Sequence, residues 1–405
     1  MDFSKFYKVY FIGAGGIGMS ALARYFKKNG MQVAGYDRTP TLLTHELKNE
    51  GIQIHYDDNI EMIPSEFKQN EDTLIVYTPA IPHNHKELTY YRENDFTLLK
   101  RSQVLGEITR SKRCIAVAGT HGKTTISSMI AHLMSYSEYK CTAFLGGIVK
   151  NLKSNFMYSE SSDFMVVEAD EFDRSFLSLN PSIAVIGSLD ADHLDIYGNR
   201  NTMLDTYIQF ISQIDKENGI LIYKKELERV LRIPDYLQSF SYSLNEDSDF
   251  RIHTLNLSNY RYTFTVKTNE RDFRVTLGMP GLVNVENAVA AIAATYASGV
   301  RKPEVYQKLA SFQGIRRRFD IQMLDEKIIY IDDYAHHPRE LEAFIQSVKA
   351  FFPEKKLCGI FQPHLYSRTL DFVDGFAKSL DLLDEVILIP IYPAREEPIP
   401  GISSE

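Results

Sequence analysis

The sequence predicts an α/β protein built from three units in series. Three observations carry that expectation. Short apolar runs alternate with helical patterns, two of those runs lead into glycine-rich turns that open a helix, and the pattern restarts near residues 9, 114 and 328. Apolar runs of this length, bounded by turn residues and separated by helices, are the mark of buried strands in a doubly wound sheet.

In the first unit, Val9-Tyr10-Phe11-Ile12 reads as a buried strand running into Gly13-Ala14-Gly15-Gly16-Ile17-Gly18. Met19 to Lys28 reads as a helix stopped by Asn29-Gly30. Val33 to Asp37 is a second strand with a carboxylate at its end, and Leu74 to Tyr77 another before Thr78-Pro79. The second unit begins with the strand Cys114 to Ala118, the turn Gly119-Thr120-His121-Gly122-Lys123-Thr124-Thr125 and a helix from Ile126 to Met134. Phe164 to Val167 and Ile183 to Ile186 are further strands, and residues 250 to 277 read as antiparallel strands at that unit's edge. After Gly314 come strands at Ile328–Ile331, Leu357–Phe361 and Glu385–Ile389 with helices between. The expected domains are 1–110, Rossmann-like; 111–314, with a phosphate loop; and 315–405, Rossmann-like and short of its last helices.

Composition bounds the function. The 405 residues are 44% hydrophobic and 24% charged, ordinary for a globular chain of about two to three domains at roughly 150 residues each. The net charge of −8 argues against nucleic-acid binding, which favours a basic surplus. No apolar run approaches the roughly 18 residues of a membrane span, and the first residues lack a signal-peptide pattern. Cys114, Cys141 and Cys358 are too few and too scattered for a disulfide framework or zinc site, so the expectation is a cytoplasmic protein with inert thiols.

The segment Gly119 to Thr125 carries the most chemistry. A glycine turn at a helix N-terminus offers unpaired N–H groups to a phosphate. Lys123 can reach the β- and γ-phosphates, and the Thr124 hydroxyl suits Mg²⁺. The strict G-x-x-x-x-G-K-[ST] spacing is not met, because Val117 stands at the first glycine position; a glycine turn with a solvated lysine is the alternative. Acidic groups follow two strands, Glu168-Ala169-Asp170-Glu171 with Asp173, and Asp190-Ala191-Asp192-His193-Leu194-Asp195, both expected at the phosphate crevice. Hard oxygen ligands there fit Mg²⁺, while His193 alone is as easily structural.

Gly13-x-Gly15-x-x-Gly18 with Asp37 fits the dinucleotide fingerprint. Alone it suggests a nicotinamide oxidoreductase. Two diphosphate cradles in one chain argue instead for a reaction joining ATP to a second, nucleotide-carried substrate. A non-catalytic nucleotide-binding regulator is the third reading.

The chain resembles the Mur ligases, ATP-dependent enzymes that add amino acids to the peptidoglycan precursor. The resemblance spans essentially all 405 residues and rests on the two glycine turns, Glu168 to Glu171, Asp192-His193-Leu194-Asp195, Asn284-Val285-Glu286-Asn287-Ala288, Arg317-Arg318-Phe319-Asp320, Asp332 to Pro338 and Phe361 to Arg368. Within the family it is most similar to the branch that joins L-alanine to the carboxylate of UDP-N-acetylmuramate, with a tripeptide-recycling branch as the near alternative. Such activity serves cell-wall synthesis, and so cell shape and division.

The resemblance implies that Gly13, Ala14, Gly15, Gly16, Ile17, Gly18 and Asp37 hold the UDP-sugar. It implies ATP on Gly119, Thr120, His121, Gly122, Lys123, Thr124, Thr125, Asn284, Asn287, Arg317, Arg318 and Asp333, although Asn287 could instead cap a helix. Thr124, Glu168 and His193 are implied around Mg²⁺, and Tyr334, His364 and Arg368 at the acyl and amino-acid ends. Lys123, Glu168, His193, His336 and Arg368 are the implied catalytic set, with His336-His337 before Pro338 also readable as a helix entry. Partners are the two substrates, neither nucleic acid nor membrane, with a monomer or homodimer as the working unit. The chain departs from the family in carrying Val283 where many members have His, in having no lysine between His193 and Lys216 to carry a bridging carbamate, and in ending some tens of residues early.

Overall fold

The computed structural model describes residues 3–190, 194–394 and 396–404. Its first unit runs β1 (Lys8–Ile12), α1 (Ile17–Lys28), β2 (Gln32–Tyr36), α2 (Leu42–Asn49), β3 (Gln53–His55), β4 (Thr73–Tyr77), α3 (Lys86–Glu93), β5 (Thr97–Lys100) and α4 (Arg101–Thr109). The strands pair in parallel in the order β3-β2-β1-β4-β5. Val9 to Ile12 are fully buried, which is why β1 reads as a continuous apolar run rather than an alternating one. The order reverses beside β1, and the first glycine turn opens there, where α/β sheets take ligands.

The second unit contains β6 (Arg113–Ala118), α5 (Lys123–Ser135), β7 (Cys141–Val149), β8 (Ser154–Met157), β9 (Phe164–Glu168), β10 (Ile183–Ile186), α6 (Leu194–Tyr197), α7 (Arg200–Ser212), β11 (Ile220–Lys224) and β12 (Gln238–Ser243). It continues with β13 (Phe250–Ser258), β14 (Arg261–Lys267), β15 (Asp272–Thr276), α8 (Leu282–Ala297) and α9 (Pro303–Tyr306). Counted over the described residues, its sheet has ten strands in the order β15-β14-β13-β12-β11-β10-β6-β9-β7-β8. β13 to β15 form the expected antiparallel edge. β6 lies between β9 and β10, so the phosphate turn, Glu168 and Asp190 emerge at one end of the sheet.

The third unit comprises β16 (Asp320–Leu324), β17 (Ile329–Asp332), α10 (Pro338–Phe351), β18 (Cys358–Phe361), α11 (Tyr366–Leu380) and β19 (Glu385–Leu388). Its strands at 329–332, 358–361 and 385–388 do not share one sheet among the described residues. β18 and β19 pair in parallel, whereas β17 pairs antiparallel with β16. The cause is local. Asp325 accepts the Lys327 amide at 2.9 Å and closes a hairpin turn that the preceding apolar pattern does not announce.

Two shared cores fix the units relative to one another. One joins Phe11, Leu22 and Phe26 of the first unit to Phe144, Phe156 and Met165 of the second. Arg24 of α1 is buried in that seam, bonded to Glu50 at 2.7 Å and Glu46 at 3.0 Å, and it donates to Asn155 of β8. The other core takes Val348 and Phe351 of α10, and Phe352 just after it, into the apolar layer of the central sheet, with Phe351 edge-on to Tyr262 at 5.4 Å.

Under α3, Glu87 is fully buried and accepts from Tyr10 Oη at 2.8 Å. Burial pushes its carboxyl up to about 8, against the Tyr10 hydrogen bond, which favours the charged form. The folded state therefore holds this proton more tightly than the unfolded chain does. The resulting stability is complete below the ordinary carboxylate range and is lost as pH rises through about 8. Glu87→Gln is expected to abolish that loss, so that its denaturation midpoint changes less than the wild type's between pH 5 and pH 9. Parallel curves in urea melts would contradict the assignment.

Candidate active site

The phosphate turn is shaped by two residues in left-handed backbone, Gly119 at φ 128° and Gly122 at φ 82°. A Cβ on Gly119 would lie 2.9 Å from the Ser188 amide nitrogen, so both conformation and space demand glycine. Lys123 begins α5, and its Nζ donates to the Gly119 carbonyl at 2.7 Å and to both Glu171 oxygens at 2.9 and 2.8 Å. Glu171 is 1% exposed. Burial opposes the charge on Lys123, but Glu171, Asp170 and Glu168 together outweigh it and the ammonium is favoured.

Glu168 ends β9 and gathers donors from three directions. Thr124 Oγ1 donates at 3.1 Å and Ser127 Oγ at 3.3 Å, and the Gly146 amide donates as well. A Cβ on Gly146 would lie 2.3 Å from a Glu168 oxygen, so this glycine admits the carboxylate. Burial raises the Glu168 pKa while the Gly146 amide, Lys123 and Thr124 oppose the rise. His193 lies outside the described residues. Among the described residues, no three His, Cys, Asp or Glu side chains converge tightly enough to hold a metal by themselves.

His121 faces a carboxylate on each ring nitrogen: Glu340 Oε1 at 3.1 Å from Nδ1 and Asp190 Oδ2 at 3.3 Å from Nε2. Burial opposes its charge, yet the two carboxylates prevail and lift its pKa to about 9. Arg339 pairs with Asp190, and His121 first, then Arg339, hold the Asp190 carboxyl down at about 2 against burial.

Asn284 and Asn287 lie in α8, which starts at Leu282 after the N-cap Gly281. Asn287 therefore sits in the second turn and does not cap the helix; its amide donates to Asn284 Oδ1 at 3.2 Å. Both line a small hollow with His121, Thr125, Arg318 and Asp333. Asp333 accepts the Phe319 amide at 2.6 Å and the Ala335 amide at 2.7 Å, and burial pushes its carboxyl up to about 6. Arg317 and Phe319 have φ of 60° and 44°, so the chain bends sharply where the third unit begins. The guanidinium groups of Arg317 and Arg318 lie 4.8 and 5.6 Å from the Tyr334 ring centre.

His337, not His336, is the helix entry: it caps α10 and accepts from the Arg339 amide at 3.3 Å. His336 points into the main cleft, its Nδ1 2.8 Å from the Tyr334 carbonyl and its ring 6.1 Å from that of His364. Burial lowers its pKa against the pull of Glu340, with Arg368 and Arg318 assisting, so the ring is neutral near pH 7. Leu365, at φ 72°, holds His364 and Arg368 on either side of a strained turn.

Lys123, Thr124, Glu168, Arg318, Tyr334, His336, His364 and Arg368 border one cleft of about 1190 Å³, while His121, Asn284, Asn287, Asp333 and Glu340 line the small hollow instead. The cleft reaches from Gly13, Gly15 and Asp37, past Lys123 and Glu168, to His336 and Arg368. The first turn is partly spoken for. The Gly13 and Ala14 amides donate to the Tyr36 carbonyl, and the Gly15 amide to Asp37 at 2.7 Å. That leaves Ile17 and Gly18, at the start of α1, as the turn's amides on the cleft. Ala14 is fully buried and does not border it. Sequence reasoning placed Glu171 only within the acidic set expected at Mg²⁺, not as the partner of Lys123, and gave no role to Glu340 or to Arg101, which borders the cleft 3.4 Å from Asp170. Glu171 was visible within the acidic cluster; the other two carry no local signal.

Comparison with known proteins agrees with this layout. The family profiles "Mur ligase family, catalytic domain", "Mur ligase middle domain" and "Mur ligase, glutamate ligase domain" match residues 8–113, 117–295 and 317–405. The UDP-N-acetylmuramate–L-alanine ligase of Parabacteroides distasonis is 52% identical over all of this chain and 87% of its own length. That of Phocaeicola vulgatus is 48% identical over all of this chain and 88% of its own. Among solved structures, the UDP-N-acetylmuramate–alanine ligase of Thermotoga maritima superposes with a TM-score of 0.81 at 29% identity, over 95% of this chain and 85% of that one. A murein peptide ligase of Psychrobacter arcticus gives 0.72 at 25% identity, over 94% and 84%. The chain belongs to the Mur ligase family, and is accordingly an ATP-dependent ligase of three α/β domains in series.

Proposed function

We propose that this protein joins L-alanine to the carboxylate of UDP-N-acetylmuramate in the cytoplasm, as a monomer or homodimer, with domains at 1–110, 111–314 and 315–405. The observation that carries the reading is the single cleft bordered by both glycine turns and by His336 and Arg368. It matches a reaction in which a nucleotide-sugar, ATP and an amino acid meet. The relatives named for alanine addition, at 48% and 52% identity, favour it over murein-peptide recycling, whose structural representative stands at 25%. They favour it likewise over nicotinamide chemistry.

In this reading the phosphate turn, Gly119 to Thr125, holds the ATP phosphates. Asn284 and Asn287 meet the adenine side, with Arg317, Arg318 and Asp333 beside the rest of the nucleotide. Asp37 orders the first turn through Gly15, while Ile17 and Gly18 offer amides to the UDP diphosphate. A sugar carboxylate oxygen attacks the γ-phosphorus, ADP leaves, and an acyl phosphate results. The alanine amine then attacks the acyl carbon, the bond from that carbon to the bridging oxygen breaks, and phosphate leaves carrying that oxygen while the amine gives up a proton. Lys123 and Arg318 spread the phosphoryl charge. Neutral His336 is placed to take a proton from the amine, and Arg368, with His364 and Tyr334, to hold a carboxylate. Glu168 and the Thr124 hydroxyl, with His193, fit Mg²⁺, a hard ion that keeps phosphate and water among its ligands. When bound, Mg²⁺ would neutralise phosphate charge.

Phosphate release from ATP and Mg²⁺ tests the reading. It is expected only with UDP-N-acetylmuramate and L-alanine both present. Release with a free murein tripeptide but not with L-alanine would move the protein to the recycling branch. Tight NADH binding without ATP turnover would overturn both.

A further inference from the structure

We propose that Glu340 is a positioning residue for the reaction, its carboxylate setting the phosphate turn, the interdomain bend and the acyl end of the cleft in register. The proposal rests on the function given above. Glu340 lies in the first turn of α10, where a carboxylate is favoured by the helix dipole and reaches back to accept the His336 amide at 3.2 Å. Such a bond would serve α10 alone. The same side chain also leaves its own domain. Oε1 meets His121 Nδ1 of the phosphate turn at 3.1 Å and lies 3.9 Å from Arg318 at the bend. Each partner adjoins a different part of the chemistry: His121 is two residues from Lys123, Arg318 borders both hollows, and the His336 ring faces the acyl end.

The charges around His121 fit this role. Asp190 and Glu340 bracket the ring, Arg339 balances Asp190, Ser188 Oγ accepts the His121 amide at 2.8 Å, and the His337 ring lies 5.3 Å away. His121 is an imidazolium whose Nδ1 donates to Glu340, while its Nε2 faces Asp190 as an ion pair at 3.3 Å. It pins the turn to β10's end on one side and to α10 on the other. Loss of Glu340 would remove the direct hydrogen bond from the phosphate turn to α10 and leave that helix tied to it through the Arg339–Asp190 pair and the His337 ring contact. A misplacement of about 1 Å between phosphoryl donor and acceptor costs about 10²-fold in rate.

The test compares wild type, Glu340→Gln, His121→Asn and the double variant, with thermal melts to confirm folding. Glu340→Gln is expected to lower kcat by about 10–100-fold while KM for ATP moves less than about threefold. The double variant is expected to match the worse single one, because both break one link. Histidine NMR of the unliganded protein gives an arm that needs no turnover: the His121 titration should fall by at least one pH unit in Glu340→Gln. Glu340→Asp, which keeps charge and helix start but falls short of His121, should share the kcat loss. An unchanged His121 titration in Glu340→Gln, or losses that multiply in the double variant, would overturn the proposal. A wild type inactive with UDP-N-acetylmuramate and L-alanine would instead overturn the functional reading, and leaves the NMR arm to decide on Glu340.

Discussion

Lys123→Met is expected to lower ATP-dependent phosphate release by about 10³-fold, because it removes the one ammonium of the phosphate turn from a reaction whose barrier is mostly charge placement. It should also cost stability. Glu171 is 1% exposed and holds Lys123 with two bonds near 2.8 Å, so the substitution strands a buried carboxylate at a cost of about 3–5 kcal/mol. The two effects can be separated. Lys123→Met with Glu171→Gln should recover most of the melting temperature and none of the activity. Substantial turnover in the single variant would remove Lys123 from the chemistry.

Glu168→Gln ranks next. The amide oxygen can still accept from Gly146 and Ser127, and the amide NH2 can donate to the Thr124 hydroxyl, so the fold around β9 should persist. What is lost is the negative charge beside the phosphate turn. At saturating ATP the rate should fall about 10²-fold, with the Mg²⁺ concentration for half-maximal rate raised about tenfold. A Mg²⁺ titration at fixed ATP measures both. An unchanged Mg²⁺ requirement would show that Glu168 serves structure alone.

The elements most readable from sequence were those whose burial leaves no choice of residue. β10, and β1 and β6 after their first residues Lys8 and Arg113, are buried without a break because helices or loops cover both faces, and the turns after β1 and β6 need glycine for conformation or close approach. The antiparallel edge was readable because buried Tyr262, Phe264 and Val266 alternate with half-buried Thr263, Thr265 and Lys267. The third unit was harder. β17 looks like the opening strand of a parallel sheet, and only its hairpin to β16 reveals otherwise. Site residues divided the same way. Lys123 and Glu168 sit at junctions that any α/β sheet points toward a ligand, while Glu340 and Arg101 owe their places to packing between domains, which leaves no periodic trace in the chain. The alternatives at Asn287 and at His336-His337 turned on where two helices begin, a boundary that local pattern places only to within a few residues.

The seat of α10 in the central core gives that helix the properties of a lever. Its fulcrum is the aromatic cluster of Phe351, Tyr262 and Phe319, and its free end carries Glu340. Eleven residues separate Phe351 from Glu340, an arm of about 16 Å at 1.5 Å per residue. A tilt of about 10° at the fulcrum therefore carries the far end roughly 3 Å, as much as a whole hydrogen bond, while the aromatic contacts barely shift. Opening of the cleft at the phosphate turn thus requires no undocking of the third unit, only a small rotation about a greased pivot.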